Sequence, residues 1–152
     1  MDMGSRDASE VQAKIAEYER FVQERLKVDL QRTVEARAVI EEEMREYADL
    51  ATNVKMLQEE KVGRLRSRVD LGSQVFCEAE VPDTSMIYVK VGLGFMVECT
   101  LDEALRIAAL RESVLEEQRA AKLAAEASIR AHIKLVLEGV RELMNLPPER
   151  GR

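Results

Sequence analysis

From about Ser9 to Arg66, apolar or neutral residues return at steps of three and four: Val11, Ile15, Tyr18, Val22, Leu26, Leu30, Thr33, Arg37, Ile40, Met44, Tyr47, Ala51, Val54 and Leu57. That spacing puts one heptad-like seam on one face of a helix. Its only charged member is Arg37, and a run of fours stretches from Val22 to Leu30. The other faces alternate Glu and Arg, as in Glu41-Glu42-Glu43-Met44-Arg45-Glu46. No proline interrupts the span, and its one glycine is Gly63. A helix of this extent would be about 87 Å long at about 1.5 Å per residue, more than one small core could cover.

After Arg68 the period falls to two. The odd positions Val69, Leu71, Val75, Cys77, Ala79, Val81, Ile87, Val89, Val91, Phe95, Val97 and Cys99 are apolar, while Glu78, Glu80, Lys90 and Glu98 occupy even ones. Alternation of this kind predicts strands with one buried face. Gly72-Ser73, Pro82-Asp83-Thr84-Ser85 and Gly92-Leu93-Gly94 supply the turns, so the region reads as four short strands in two hairpins. Thr100-Leu101-Asp102-Glu103 then has the spacing of a capping box. A second helix follows to Leu146, where Pro147-Pro148 stop it. Its seam reads Leu101, Leu105, Ala108, Leu115, Ala125, Ile129, His132 or Ile133, Val136, Val140 and Leu143, with Arg111, Gln118 and Lys122 weakening its middle.

The predicted fold is therefore mainly α with a small β region: an antiparallel two-helix coiled coil joined by two β-hairpins. It forms a single domain over residues 1–152. The first helix covers about 9–66, the hairpins about 69–99 and the second helix about 101–146, with short flexible termini. Pairing Arg66 with Leu101 makes facing residue numbers sum to about 167 at the α-helical rise. Val22 then faces Asn145, and Val11 and Ile15 extend past the second helix.

Composition agrees with this picture and narrows the chemistry. Aromatic residues are 4% of the chain, with no Trp, and 34% of residues are charged. Apolar surface must then lie in stripes, and stripes need partners. A net charge of −6 and a pI near 5.0 argue against direct binding to nucleic acid or to an anionic membrane. No apolar run reaches the roughly 18–20 residues that span a bilayer. Residues 1–7 lack the apolar stretch of a secretory signal, so the chain reads as soluble and intracellular. Cys77 and Cys99 stand outside any C-x-x-C pair and far in sequence from the only histidine, His132, which fits reduced thiols in small apolar positions and no metal site.

No catalytic constellation is present in the sequence. His132 lies on or beside a helical seam, and the carboxylates have helix-surface spacing. Gly92-Leu93-Gly94 lacks the third glycine and following helix of a dinucleotide loop. The basic cluster Lys61, Arg64, Arg66 and Arg68 suits the C-terminus of the first helix. The chain is expected to be no enzyme and to need no cofactor.

Two features do point to function. Phe76, Tyr88 and Met96 interrupt the charged, even face of the strands. Isolated hairpins are marginal in water and leave open edges. Val75, Phe76, Tyr88, Val89, Phe95 and Met96 are thus candidates for an interface with other subunits, unless they simply cover the helix ends. The second feature is the free end of the coiled coil. Val11, Ile15, Tyr18, Phe21, Leu143, Met144 and Leu146 gather there, either as a fraying terminus or as a grip on apolar segments of a partner.

The layout of helix, two hairpins and helix resembles the α-class prefoldin subunits, the β class having one hairpin. The residues carry the resemblance further. Val69-Asp70-Leu71-Gly72, Val81-Pro82-Asp83-Thr84-Ser85, Ile87-Tyr88-Val89, Gly92-Leu93-Gly94-Phe95 and Thr100-Leu101-Asp102-Glu103-Ala104-Leu105 are similar to the hairpin signature of that class. Ala131-His132-Ile133 and 137–143 resemble, more narrowly, one prefoldin-like branch of the family. The similarity runs from about Tyr18 to Leu146, strongest over Val69–Leu105. It implies a co-chaperone hetero-hexamer of two α-class and four β-class subunits with a joint β platform. The coiled-coil tips of such an assembly hold unfolded clients such as actin and tubulin without ATP and pass them to a chaperonin. For the narrower branch it implies a prefoldin-like complex and partners in transcription regulation. The expected compartment is the cytoplasm, the nucleus or both.

Overall fold

The computed structural model describes residues 3–144, with side chains from Ser9 onward. Asn145, Leu146, Pro147 and Pro148, which the sequence places at the tip and the end of the second helix, lie outside the described residues. The architecture is mainly helical, with two small antiparallel hairpins between long helices. In chain order the elements are α1 (Met3–Phe21), a π-helical turn (Val22–Leu26), α2 (Lys27–Glu59), β1 (Leu65–Asp70), β2 (Phe76–Val81), β3 (Met86–Gly92), β4 (Phe95–Thr100) and α3 (Leu101–Leu143). Among the described residues β1 pairs only with β2, and β3 only with β4.

The chain divides into two compact units, 42–116 and 1–41 with 117–152. In each, a segment of α3 lies antiparallel to the first helical stretch. Within the first unit, Gln58 Nε2 donates to Asp102 Oδ1 at 2.8 Å, and the Arg111 guanidinium binds Glu43 Oε1. Within the second, Arg37 Nε donates to Glu126 Oε2 at 3.0 Å. These pairs correct the predicted facing. Asp102 meets Gln58 instead of Leu65, and Arg37 meets Glu126 instead of Arg130.

The cause is the end of the first helical stretch, which comes at Glu59 and not at Arg66. Lys61 adopts a left-handed φ of 48°. Its N–H bonds the Gln58 carbonyl, and the Val62 N–H bonds that of Leu57. That is a Schellman stop, which satisfies the last helical carbonyls. The buried Thr84 hydroxyl donates to the Val62 carbonyl and ties the end to the inter-hairpin connection. Leu65–Arg68 therefore belong to β1. Of the basic cluster only Lys61 is a helix-end residue; the three arginines lie beyond the helix. Arg64 and Arg66 pair with Glu80, and Arg68 lies 4.4 Å over the Phe76 ring.

The seam of the first helical stretch is close to the predicted one. Ile15, Val22, Ile40, Tyr47 and Val54 are buried, with Leu26, Leu30 and Met44 half-buried between them and Leu57 half-buried after them. The π turn coincides with the run of fours. At about 3.6 residues per turn a repeat of four drifts around the helix, and a locally wider turn keeps Val22, Leu26 and Leu30 on one face. Tyr18 is exposed and leaves the seam. In α3 the seam passes through Ala104, Ala108, Leu115, Glu126 and Val140, all buried. Ala125 and His132 are exposed, and half-buried Ile133 takes the place offered to the histidine.

Thr100 and Glu103 form the predicted capping box: the Thr100 N–H and hydroxyl donate to Glu103 Oε2, and the Glu103 N–H returns to Thr100 Oγ1. The Thr100 backbone N–H holds the Glu103 carboxyl below its ordinary value of 4.5. A depressed carboxyl contributes stability above its unfolded pKa and loses it as pH falls through the folded one. Glu103→Gln should therefore flatten the acid side of a Tm-versus-pH curve, below about pH 4.5, and leave the neutral side less changed.

Candidate assembly surface and coiled-coil end

The two hairpins differ in how much of them the chain itself covers. In the β3–β4 hairpin Met86 pairs with Thr100, Ile87 with Cys99 and Val89 with Val97. Val89 and Cys99 form a core with Val54 and Ala104, flanked by Leu50, Ile87, Leu101, Leu105 and Ile107. Val89, expected at an open interface, thus belongs to the chain's own core, because its face of the hairpin base rests on the helices. Burial also pushes the Cys99 thiol up. Tyr47 Oη donates to the Lys90 carbonyl at 3.0 Å, beside the register shift between Lys90 and Gly92. Towards the turn the same odd face opens, with Val91, Phe95 and Val97 exposed.

The β1–β2 hairpin has no such support. Leu65 faces Val81, Ser67 faces Ala79 and Val69 faces Cys77, which makes an odd face that is apolar except at Ser67. Every residue of β1 is exposed, and only Ala79 of β2 is half-buried. The other face carries opposed charges, Arg66 across from Glu80 and Arg68 across from Glu78. Phe76 sits there beneath Arg68. A two-stranded hairpin with a bare apolar face is marginal alone and needs a covering surface.

Its turn is also under strain. Val75 N–H bonds the Gly72 carbonyl across Ser73 and Gln74, whose φ values are 52° and 63°. Left-handed geometry at both central residues is that of a type I′ turn, which favours Asn-Gly. Replacing Ser73 with Asn and Gln74 with Gly should stabilise this hairpin locally by about 1 kcal/mol. Amide exchange in β1 and β2 should slow by roughly fivefold, with less change in α3.

Of the other candidate interface residues, Val75, Tyr88 and Met96 are exposed, Val75 although its odd position predicts the buried face. Tyr88 Oη donates to Glu98 Oε1 at 2.9 Å, and that bond raises the phenol's pKa. At the coiled-coil end Tyr18, Phe21, Leu143 and Met144 are exposed. Ile15 lies one heptad before Val22 and, like it, is buried; Val11 is half-buried. These two are less open than the predicted facing implied.

The sequence reading missed Glu126. It is 2% exposed and lies in the seam, with Oε2 on Arg37 and Oε1 on Arg130 at 2.7 Å. Glu41 and Glu126 together hold the Arg37 guanidinium charged. The available signal was Arg37 itself, since a cation in a seam needs a facing carboxylate. Among the described residues no cluster of three or more His, Cys, Asp or Glu could hold a metal ion. No described helix is long and apolar enough to cross a membrane.

Two long antiparallel helical segments with two hairpins between them, one carrying an uncovered apolar face, define a mainly helical subunit of the two-hairpin prefoldin type. The prefoldin subunit family model matches residues 26–145, and the chain belongs to that family of non-enzymatic, chaperone-like proteins. It is 42% identical to a UXT homolog of Nematostella vectensis, over 90% of this chain and 87% of that protein. To protein UXT of Homo sapiens it is 39% identical, over 88% and 85%, and to a UXT homolog of Dictyostelium discoideum 35% identical, over 85% and 80%. The narrower resemblance of 131–133 and 137–143 is to these UXT proteins, so the chain is a UXT-like prefoldin-family protein. Among solved structures, a chain of filamentous PFD from Methanocaldococcus jannaschii covers 72% of this chain and is itself covered to 98%, with a TM-score of 0.43 and 22% identity.

Proposed function

We propose that this chain is a non-catalytic subunit of a prefoldin or prefoldin-like hetero-oligomer. It joins other α- and β-class subunits through its hairpins and presents its coiled-coil end to unfolded protein, in the cytoplasm or nucleus. The observation that carries the reading is the β1–β2 hairpin, whose apolar face from Leu65 to Val81 is uncovered by the chain. Burying such a face gains about 25 cal/mol per Å². Exposed Phe95 and Val97 on the second hairpin extend the same kind of surface. Client capture would use Tyr18, Phe21, Leu143 and Met144, each contributing weakly, so several subunits acting together would supply the affinity.

The assembly half is tested by Val75→Asp with Phe95→Asp. Both sites are exposed, so the chain should keep its helical signal but fail to co-purify with co-expressed β-class subunits. Light-scattering masses equal to those of the parent assembly would refute the interface. The client half is tested by replacing Tyr18, Phe21 and Leu143 with Ser. The oligomer mass should be unchanged and suppression of aggregation of denatured actin reduced several-fold. If the triple variant protects as well as the parent, this end is not a client site. Preferential binding of native partners would then favour a scaffold in transcription regulation.

A further inference from the structure

The basic run that leads into β1 serves neither the helix end nor the apolar face. It reads Arg64-Leu65-Arg66-Ser67-Arg68, and Ser67 is the only serine or threonine of the chain with an arginine on each side. Successive side chains of a strand alternate, so Ser67 takes the odd face of β1 while Arg66 and Arg68 take the even one. The arginines are loosely held. Arg64 and Arg66 share Glu80 at 3.3 and 3.6 Å, with their own side chains 66% and 76% exposed, and pairs this open add little stability.

On the odd face of this hairpin Ser67 is the one polar residue. Leu65 and Val69 flank it on β1, and Val81, Ala79 and Cys77 stand across on β2, so no cation of the hairpin shares that face. Ser67 is exposed, and among the described residues β1 has a strand on one side only. The segment is thus already extended and reachable, and a hairpin of two strands opens at little cost.

We propose that Ser67 is a phosphorylation site for a protein kinase that reads arginines on the N-terminal side of its target, and that its modification keeps the chain out of its assembly. The inference rests on the reading of the β1–β2 apolar face as a subunit interface. Carboxylates of such a kinase would take Arg64 and Arg66, three and one residues before the hydroxyl. Ser67 Oγ attacks the γ-phosphorus of ATP, and its new bond forms as the bond from that phosphorus to the β–γ bridging oxygen breaks. ADP leaves, and the hydroxyl proton passes to the kinase's catalytic carboxylate. The product places a charge of about −1.5 to −2 at neutral pH in the middle of the apolar face. Arg66 and Arg68 lie on the other face and do not neutralise it while the hairpin holds. A partner closing over this face would bury that charge unpaired, whereas a lone hydroxyl is readily satisfied by one water. Once a partner covers the face the hydroxyl is out of reach, so the modification acts on the unassembled subunit.

The test uses the full-length chain, ATP and the catalytic subunit of cAMP-dependent protein kinase as the arginine-reading probe, with the modified residue located by peptide mass spectrometry. Ser67 should be the main site in the free chain. Arg64→Ala with Arg66→Ala should lower the rate there tenfold or more. Mixed with β-class subunits, the phosphorylated chain should enter the oligomer at least tenfold less than the unmodified one, and alkaline phosphatase should restore its entry. Ser67→Ala should assemble like the parent with or without kinase and ATP. A chain already in the oligomer should be modified at least tenfold more slowly than the free chain. No modification of Ser67, an unchanged rate without the two arginines, or full entry of the phosphorylated chain overturns the proposal. The Val75→Asp, Phe95→Asp variant separates the two readings. If it assembles like the parent, the interface itself is refuted; if it stays out while the phosphorylated chain assembles, only the role of Ser67 falls.

Discussion

Val89→Asp should destabilise the protein by about 3–5 kcal/mol, the cost of leaving an unpaired charge in a dry site. Val89 is 2% exposed, and its core partners Val54, Cys99 and Ala104 are all apolar. The carboxylate would have no donor there and would either displace the hairpin from the helices or take up a proton. Lys90→Asp is the control one residue away. The Lys90 side chain is exposed, and the Tyr47 hydroxyl is received by its backbone carbonyl, which the substitution keeps. Circular dichroism melting should show a large fall in Tm for the first variant and a small change for the second. Equal losses would contradict the strand parity. Because Val89 lies inside its own subunit, the loss should appear even without partners. The Val75 and Phe95 variant, in contrast, should be defective only in assembly.

The second large effect concerns the charged layer in the helix pair. Arg37→Leu leaves Glu126 buried with only Arg130, whose own side chain is largely exposed. Tm should drop by roughly 5–10 °C, as a buried carboxylate loses half of its countercharge. Glu126→Leu should cost less, since Arg37 keeps Glu41 and the new side chain suits the seam. The double variant should melt at or above the parent temperature, because a buried ion pair replaced by packed apolar residues is often neutral or stabilising. Its expected defect is in register, since a seam that is apolar throughout can slide by a turn. Spin labels on α2 and α3 within this unit should give one distance in the parent and a broader distribution in the double variant. A double variant less stable than Arg37→Leu would show that the pair itself holds the helices together.

The parts of the fold that depend on neighbours in sequence were legible in the chain alone. The seam from Val22 to Leu57 and the alternation from Val69 to Cys99 are periodicities, and a period states which face a residue takes. The cap at Thr100 and Glu103 and the turn at Leu93 and Gly94 need only residues within three or four positions. The Arg-rich stop of the first helix was misplaced for an equally local reason. Residues 64–68 carry no proline, and the true signal, Lys61 in a left-handed conformation, is rare for a residue with a side chain.

What only the tertiary structure decided is which of several equivalent faces is covered, and by what. The odd face of both hairpins alternates identically, yet the helices bury Val89 and Cys99 and leave Val69 and Val75 open. No local pattern distinguishes these residues, because burial depends on where a distant segment ends. The same holds for Glu126 beside Ala125. One residue's shift rotates a position by about 100° on a helix, and the choice between an alanine and a glutamate in the seam was settled by Arg37, eighty-nine residues away. Periodicity is a property of the chain. The identity of the facing partner arises only when two helices settle into register.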